Sequence, residues 1–143
     1  MPTEPGENGG FRELLNLSIP AHGEAIANAS DSIAEELVRL KVPEQKRLEI
    51  GLAVQEALAN AVVHGCNNDP SKQVQCRLSC DLEGRILVVV TDPGPGFASN
   101  SVANPKVGTN LYTDHGRGVY LIQQLMDDVR FEGRGNEIKM WKY

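Results

Sequence analysis

Glu56 and Asn60 stand four residues apart and His64 follows at the same interval, in the run Glu56-Ala-Leu-Ala-Asn60-Ala-Val-Val-His64. On a helix this spacing puts the carboxylate, the amide and the imidazole on one face, the first two about 6 Å apart. An amide oxygen is a hard ligand suited to Mg2+, which takes one or two protein oxygens and completes its shell with water and nucleotide phosphate. A carboxylate one turn earlier could then take the proton of a water or hydroxyl that attacks a terminal phosphate. Taken alone, the stretch also reads as a solvated helix face that happens to carry a Glu and an Asn.

A second group, Thr91-Asp92-Pro93-Gly94-Pro95-Gly96-Phe97, directly follows the hydrophobic run Ile86 to Val90. A carboxylate at the end of a buried strand can accept a hydrogen bond from an exocyclic amine such as that of adenine. Gly94 and Gly96, lacking side chains, would let the base come close to the backbone. Asp-Pro-Gly is also a strong turn signal, which accounts for Asp92 to Gly94 but not for Gly96. The third group, Gly116-Arg117-Gly118-Val119, opens a helical pattern. Free N–H groups and the positive end of the helix dipole make such a start a phosphate cradle. Arg117 adds a guanidinium for a phosphate or for a partner's carboxylate. The sequence has no G-x-x-x-x-G-K-[ST] string, so the three groups in this order imply a nucleotide site that is not a P-loop.

The hydrophobic period supplies the elements that must hold these groups. Leu15, Leu17 and Ile19 alternate with Asn16 and Ser18 and predict a strand ended by Pro20. Ile26, Ala29, Ile33, Leu37 and Leu40 predict an amphipathic helix, with Arg39 and Lys41 near its end where cations suit the dipole. Pro43 fits the first turn of a second helix running to about His64. Its apolar residues cover more than one face, so it is expected to be central. Val74, Cys76, Leu78 and Cys80 share one side of a period-two strand. Glu83-Gly84 turns that strand into Ile86–Val90, a continuous apolar run expected to be buried on both faces. Phe97 to His115 has no period, and its length predicts a mobile lid that orders over the phosphates. A third helix begins near Gly116 and packs through Val119, Ile122, Leu125 and Met126. A last hairpin, Val129 to Phe131 and Glu137 to Trp141, turns at Gly133-Arg134-Gly135-Asn136.

Composition bounds what the site can serve. The 143 residues, 41% of them hydrophobic, suffice for one ordinary core and predict a single domain over 11–143. Residues 1–10, rich in Pro, Gly and Glu, predict a disordered tail. A net charge of −5 without a Lys/Arg cluster argues against direct nucleic-acid binding, which needs a basic stripe. Neither a secretory segment nor an apolar run long enough for a bilayer is present in the sequence, so no membrane association is expected. Three cysteines follow no disulfide framework and suggest a reducing cytoplasm. His64, Cys66, Cys76 and Cys80 are residue types that bind Zn2+. On one strand, however, Cys76 and Cys80 lie about 13 Å apart, too far for Zn–S bonds of roughly 2.3 Å. The cysteines read as core or surface thiols, and His64 as a packed histidine beside the nucleotide.

The order Glu-x-x-x-Asn, Asp-x-Gly-x-Gly, long loop, Gly-x-Gly resembles the GHKL ATPase superfamily, and more closely the bacterial anti-sigma factor serine-protein kinases. Residues 56–65 are similar to their N box, 91–97 to their first glycine box, 116–127 to their second, and 135–140 to their final strand. The resemblance implies an α+β two-layer sandwich of Bergerat type. In that fold a mostly antiparallel mixed sheet is covered on one face by three helices, and ATP lies between helices and lid. It implies Glu56 as catalytic base, Asn60 as Mg2+ ligand and Asp92 as reader of adenine. Gly94, Gly96, Gly116, Arg117, Gly118 and Val119 would complete the nucleotide contacts. The family's final strand often begins Gly-Thr, with the hydroxyl near adenine; here Asn136 takes that place, and an amide both donates and accepts. The implied function is an ATP-dependent serine-protein kinase and anti-sigma factor. Such a protein phosphorylates a small antagonist and sequesters a sigma factor, and a homodimer is a further expectation. The alternative is an ATP-responsive binding module with little or no phosphoryl transfer. Histidine kinase activity itself is not implied, because no phospho-acceptor helix pair precedes the boxes.

Overall fold

The computed structural model describes residues 10–94, 115–133 and 135–143, and of residues 115–117 the backbone alone. The predicted tail therefore lies outside the described residues except at Gly10. The first strand, β1 (Arg12–Pro20), begins earlier than the alternation suggests. A register shift between Glu13 and Leu15 interrupts the pairing there and hides its start from a period-two reading. Helix α1 (Gly23–Arg39) starts where the extended His22 accepts at Nδ1 from the backbone N–H of Ala25. Ala25, Ala29, Ile33 and Leu37, one turn apart, are its buried stripe.

Lys41 ends this helix in the left-handed region, at φ 63°. Around it Val42 N donates to Leu37 O (3.1 Å) and Lys41 N to Val38 O (2.9 Å), the paired bonds of a Schellman cap that usually places glycine at this position. The Lys41 side chain is exposed, so little packing would be lost with it. A left-handed non-glycine residue costs about 1–2 kcal/mol, and glycine's extra chain entropy offsets about half of that. Lys41→Gly is expected to stabilise the fold by about 0.5–1 kcal/mol, read as a higher urea midpoint at unchanged slope. A lowered midpoint would mean that the lysine contributes more than its backbone costs.

Helix α2 (Glu44–Asn60) follows Pro43, which sits at the cap with φ −59°. It packs between α1 and α3 (His115–Leu125), which is why Ile50, Ala53, Val54, Ala57 and Leu58 are buried on more than one side. The remaining strands are β2 (Gln73–Cys80), β3 (Ile86–Thr91), β4 (Asp128–Glu132) and β5 (Glu137–Lys142), in sheet order β1-β2-β3-β5-β4. Every neighbouring pair is antiparallel. The tight β4–β5 hairpin inserts β5 beside β3, so β3 and β4, which run the same way, never touch. The mostly antiparallel sheet expected from the sequence is thus antiparallel throughout.

β3 is buried on both faces, as its unbroken apolar run predicts. Ile86, Val88 and Val90 join the helices in the main core, while Leu87 and Val89 meet Phe11 and Trp141 on the other side. Cys66 and Cys76 belong to the main core, and burial pushes the Cys76 thiol up to about 12. Lys142 ties β5 to two helices: its Nζ donates to Leu125 O at the end of α3 and pairs with Glu49 Oε1 of α2 at 2.8 Å. A cation at a helix C-terminus is also favoured by the dipole. Among the described residues no helix is long and apolar enough to cross a membrane.

Candidate functional site

The end of α2 departs from regular geometry just where the chemistry-bearing residues stand. Residues Ala61–Gly65 form a π-helical turn, closed by Cys66 N donating to Ala61 O at 3.0 Å. Such turns add a residue to a helix and recur at functional sites. Here the turn lays Gly65 against Asp92. A Cβ on Gly65 would lie 2.2 Å from Asp92 Cγ, and one on Gly94 would lie 2.3 Å from Gly65 O. Both glycines are therefore required by close approach. Cys66, next in the chain, is fully buried; desolvation pushes its thiol up, and the Asp92 charge adds to the effect.

Asp92 is fixed from several directions. Its N–H donates to Asn136 O and its carbonyl accepts from Asn136 Nδ2, both at 2.9 Å. Its Oδ1 accepts from Gly94 N at 2.7 Å. The turn expected from Asp-Pro-Gly is present as an Asx turn, and it holds the carboxylate in place at the cleft.

An open cleft with a cavity volume of about 80 Å3 lies between α2 and α3 on one side and β3 and β5 on the other. Asn60, His64, Asp92 and Asn136 supply its polar lining, and Val90, Val119, Ile122, Phe131 and Ile138 its apolar walls. Glu56 adjoins through Gly118. A Cβ on Gly118 would lie 2.5 Å from Glu56 Oε2 and 2.7 Å from Asn60 Nδ2. The carboxylate and the amide thus converge on one point near the start of α3.

Of the residues expected from the sequence, Asn60, Asp92, Val119 and Asn136 line the cleft. Gly94 and Gly118 are not in that lining but lie against Gly65 and Asn60, which are, and Glu56 lies against Gly118. Gly116 and Arg117 lie in the first turn of α3. Gly96 falls outside the described residues, as does the expected lid apart from its last residue, His115. Gly65 and Phe131 were missed. Just past the expected helix end at His64, Gly65 reads as an ordinary helix stop, which hides its packing role. Phe131 carried only the signal of an inward-facing strand position.

The donor set fits Mg2+ better than a metal with an all-protein shell. Among the described residues no three His, Cys, Asp or Glu side chains group to hold a metal. Asn60, in the cleft wall, offers an amide oxygen as a hard ligand. One amide oxygen with a carboxylate nearby suits an ion that relies on phosphate and water for the rest.

The family model of the histidine kinase-like ATPase domain matches residues 19–142. The chain belongs to that family. The match runs from the end of β1 through β5 and so takes in every group described above. The domain is 26% identical over 138 residues to the serine-protein kinase RsbW of Bacillus subtilis (strain 168), covering 92% of this chain and 86% of that one. It is 28% identical over 129 residues to the anti-sigma F factor of Geobacillus thermodenitrificans, covering 89% and 88%. Among solved structures, the RsbU and RsbW domains of a Mycobacterium tuberculosis protein superpose with a TM-score of 0.62 at 16% identity. That superposition covers 90% of this chain and 32% of the other, so the domain spans about a third of that longer protein. The SiaB–SiaC complex of Pseudomonas aeruginosa gives a TM-score of 0.61 at 11% identity, over 92% and 89%. At these identities the two structures speak for the fold: an open sheet with helices packed on one face.

Proposed function

We propose that this histidine kinase-like ATPase domain binds ATP with Mg2+ and phosphorylates a serine of a small anti-sigma antagonist. In this reading it also sequesters a sigma factor, as a cytoplasmic protein able to form a homodimer. The observation that carries the proposal is the convergence of Glu56 and Asn60 on Gly118, beside the cleft that Asp92 lines. Asp92 would accept a hydrogen bond from the adenine amine, with Val90, Ile138 and Phe131 as apolar walls for the ring. Asn60 would hold Mg2+, which would draw off charge from the phosphates. The first turn of α3, with Gly116 and Arg117, would meet those phosphates through backbone N–H groups and a guanidinium. Glu56 would take the proton of the serine hydroxyl as its oxygen bonds to the terminal phosphorus, while the bond from that phosphorus to the departing ADP oxygen breaks. Relatives named as serine-protein kinase and anti-sigma F factor support the choice of acceptor and partner.

Asp92→Asn tests the nucleotide site. The amide offers the base amine a poorer acceptor or a second donor, and a hydrogen bond to a charged group contributes about 1.5–3 kcal/mol. Calorimetry should show Mg2+-ATP binding weakened by roughly tenfold to hundredfold. If the wild-type domain does not bind Mg2+-ATP, the reading is wrong. Incubation with ATP and candidate antagonist proteins, read by intact mass, tests the transfer itself. Binding of nucleotide and partner without any transfer would favour the ATP-responsive binding module.

A further inference from the structure

Asp92 and Asn136 face each other just beyond the last ladder pair of β3 and β5, Thr91 with Glu137. In an antiparallel ladder a hydrogen-bonded pair exchanges two backbone bonds. Here Asp92 N donates to Asn136 O in the ordinary way, and the Asn136 side chain makes the return bond from Nδ2 to Asp92 O. Only the nitrogen arm of the amide can bond a carbonyl oxygen, so the partner fixes the amide's orientation. The turn before it leaves room. Gly133, at φ 62°, has its missing Cβ position 3.0 Å from Asn136 Oδ1.

We propose that Asn136 is a positioning residue that sets the base selectivity of the cleft, by holding the Asp92 backbone at both its N–H and its carbonyl so that the carboxylate stays aimed at a 6-amino purine. The inference rests on the ATP reading above. Asp92 sits where β3 leaves the sheet, so its backbone no longer belongs to a continuous ladder. Its carboxylate is confined by Gly65 on one side and by the Gly94 N–H on the other. Those two neighbours fix where the carboxylate lies relative to its own backbone and to the π turn. The Asn136 clamp fixes where that backbone lies relative to the sheet, and with it the apolar walls supplied by Val90 and Ile138. A hydrogen bond to the base needs both. Without the clamp the turn can swing as a unit. The carboxylate then drifts from the base edge, and the hydrogen bond that tells an exocyclic amine from a carbonyl is weakened first.

The experiment compares Mg2+-ATP with Mg2+-ITP, whose 6-oxo group cannot donate to a carboxylate, by calorimetry on the whole chain. Wild type should prefer ATP. Asn136→Ala should weaken ATP by roughly threefold to tenfold, the weight of one neutral hydrogen bond, and leave ITP within about twofold, since the phosphate and apolar contacts are untouched. Asn136→Asp keeps the shape but cannot donate, and should lower the ATP-to-ITP ratio at least as far. In an Asp92→Ala background, where no polar group remains to aim at the base, Asn136→Ala should no longer change the ratio, because the two residues act through one hydrogen bond to the base. A loss shared equally by both nucleotides, or an unchanged ratio in both Asn136 variants, overturns the inference. Should Asn136→Ala fail to fold, Asn136→Asp carries the same comparison, with ITP binding as its control for a folded cleft. Wild type that binds neither nucleotide removes the ATP reading itself. Wild type that prefers ATP while the variants keep that preference overturns the role of Asn136 alone.

Discussion

Glu56→Gln should leave Mg2+-ATP binding close to that of wild type while slowing serine phosphorylation by about 10²–10⁴-fold, the usual loss when a general base is removed. That factor equals roughly 3–5 kcal/mol of barrier at 1.36 kcal/mol per decade. Glutamine fills the same space beside Gly118, where Glu56 Oε2 now lies, so the packing of α3 on α2 is preserved. What disappears is the capacity to take a proton. Calorimetry measures the first quantity, and a time course of antagonist phosphorylation by intact mass measures the second. Transfer at the wild-type rate would show that another group, or water, receives the proton.

How far the site could be read in advance depended on whether each role was local or tertiary. The Glu56–Asn60 spacing is a property of one helix, and the structure brings the two side chains together as that spacing predicts. The continuous run in β3 foretold burial on both faces, because no polar residue interrupts it. The π turn at Ala61–Gly65 was not legible. Ala, Val, His and Gly serve an i+4 and an i+5 bond equally well, and only Asp92 on a neighbouring strand gives the turn its purpose. Lys41 was read as a partner of the helix dipole, and its left-handed backbone left no mark on residue type. Asn136 was read as a nucleotide contact, in a place where the resembled family often has threonine. Its bond to the Asp92 carbonyl depends on the β3–β5 register, which no local pattern records. The same limit applied to Gly118, for which the sequence suggested backbone donors near phosphate. The packing of α3 on α2 supplies a second and more demanding reason for a glycine.

That reason leads to the other large effect. In Gly118→Ala the new methyl would lie 2.5 Å from Glu56 Oε2 and 2.7 Å from Asn60 Nδ2, closer than carbon and these atoms tolerate. Helix α3 cannot easily retreat, because Val119 and Ile122 are buried in the protein and Lys142 ties its last turn to Glu49 on α2. The two polar side chains are freer to move, at an off-rotamer cost of about 0.5–1.5 kcal/mol each. Moving them displaces the proposed base and the proposed Mg2+ ligand together. Phosphorylation should fall at least as far as in Glu56→Gln, by about 10²–10⁴-fold, and ATP binding should lose its dependence on Mg2+. Stability is expected to change little, since alanine regains about 0.8–1 kcal/mol of helix propensity over glycine and offsets much of the side-chain strain. The pattern differs from that of Glu56→Gln, which keeps Mg2+-dependent binding. A melting curve near that of wild type, together with loss of both activities, would identify Gly118 as the steric seat of the site. Transfer and Mg2+-dependent binding at wild-type levels would mean that the start of α3 has room for a methyl group, and the convergence of Glu56 and Asn60 would then need another cause.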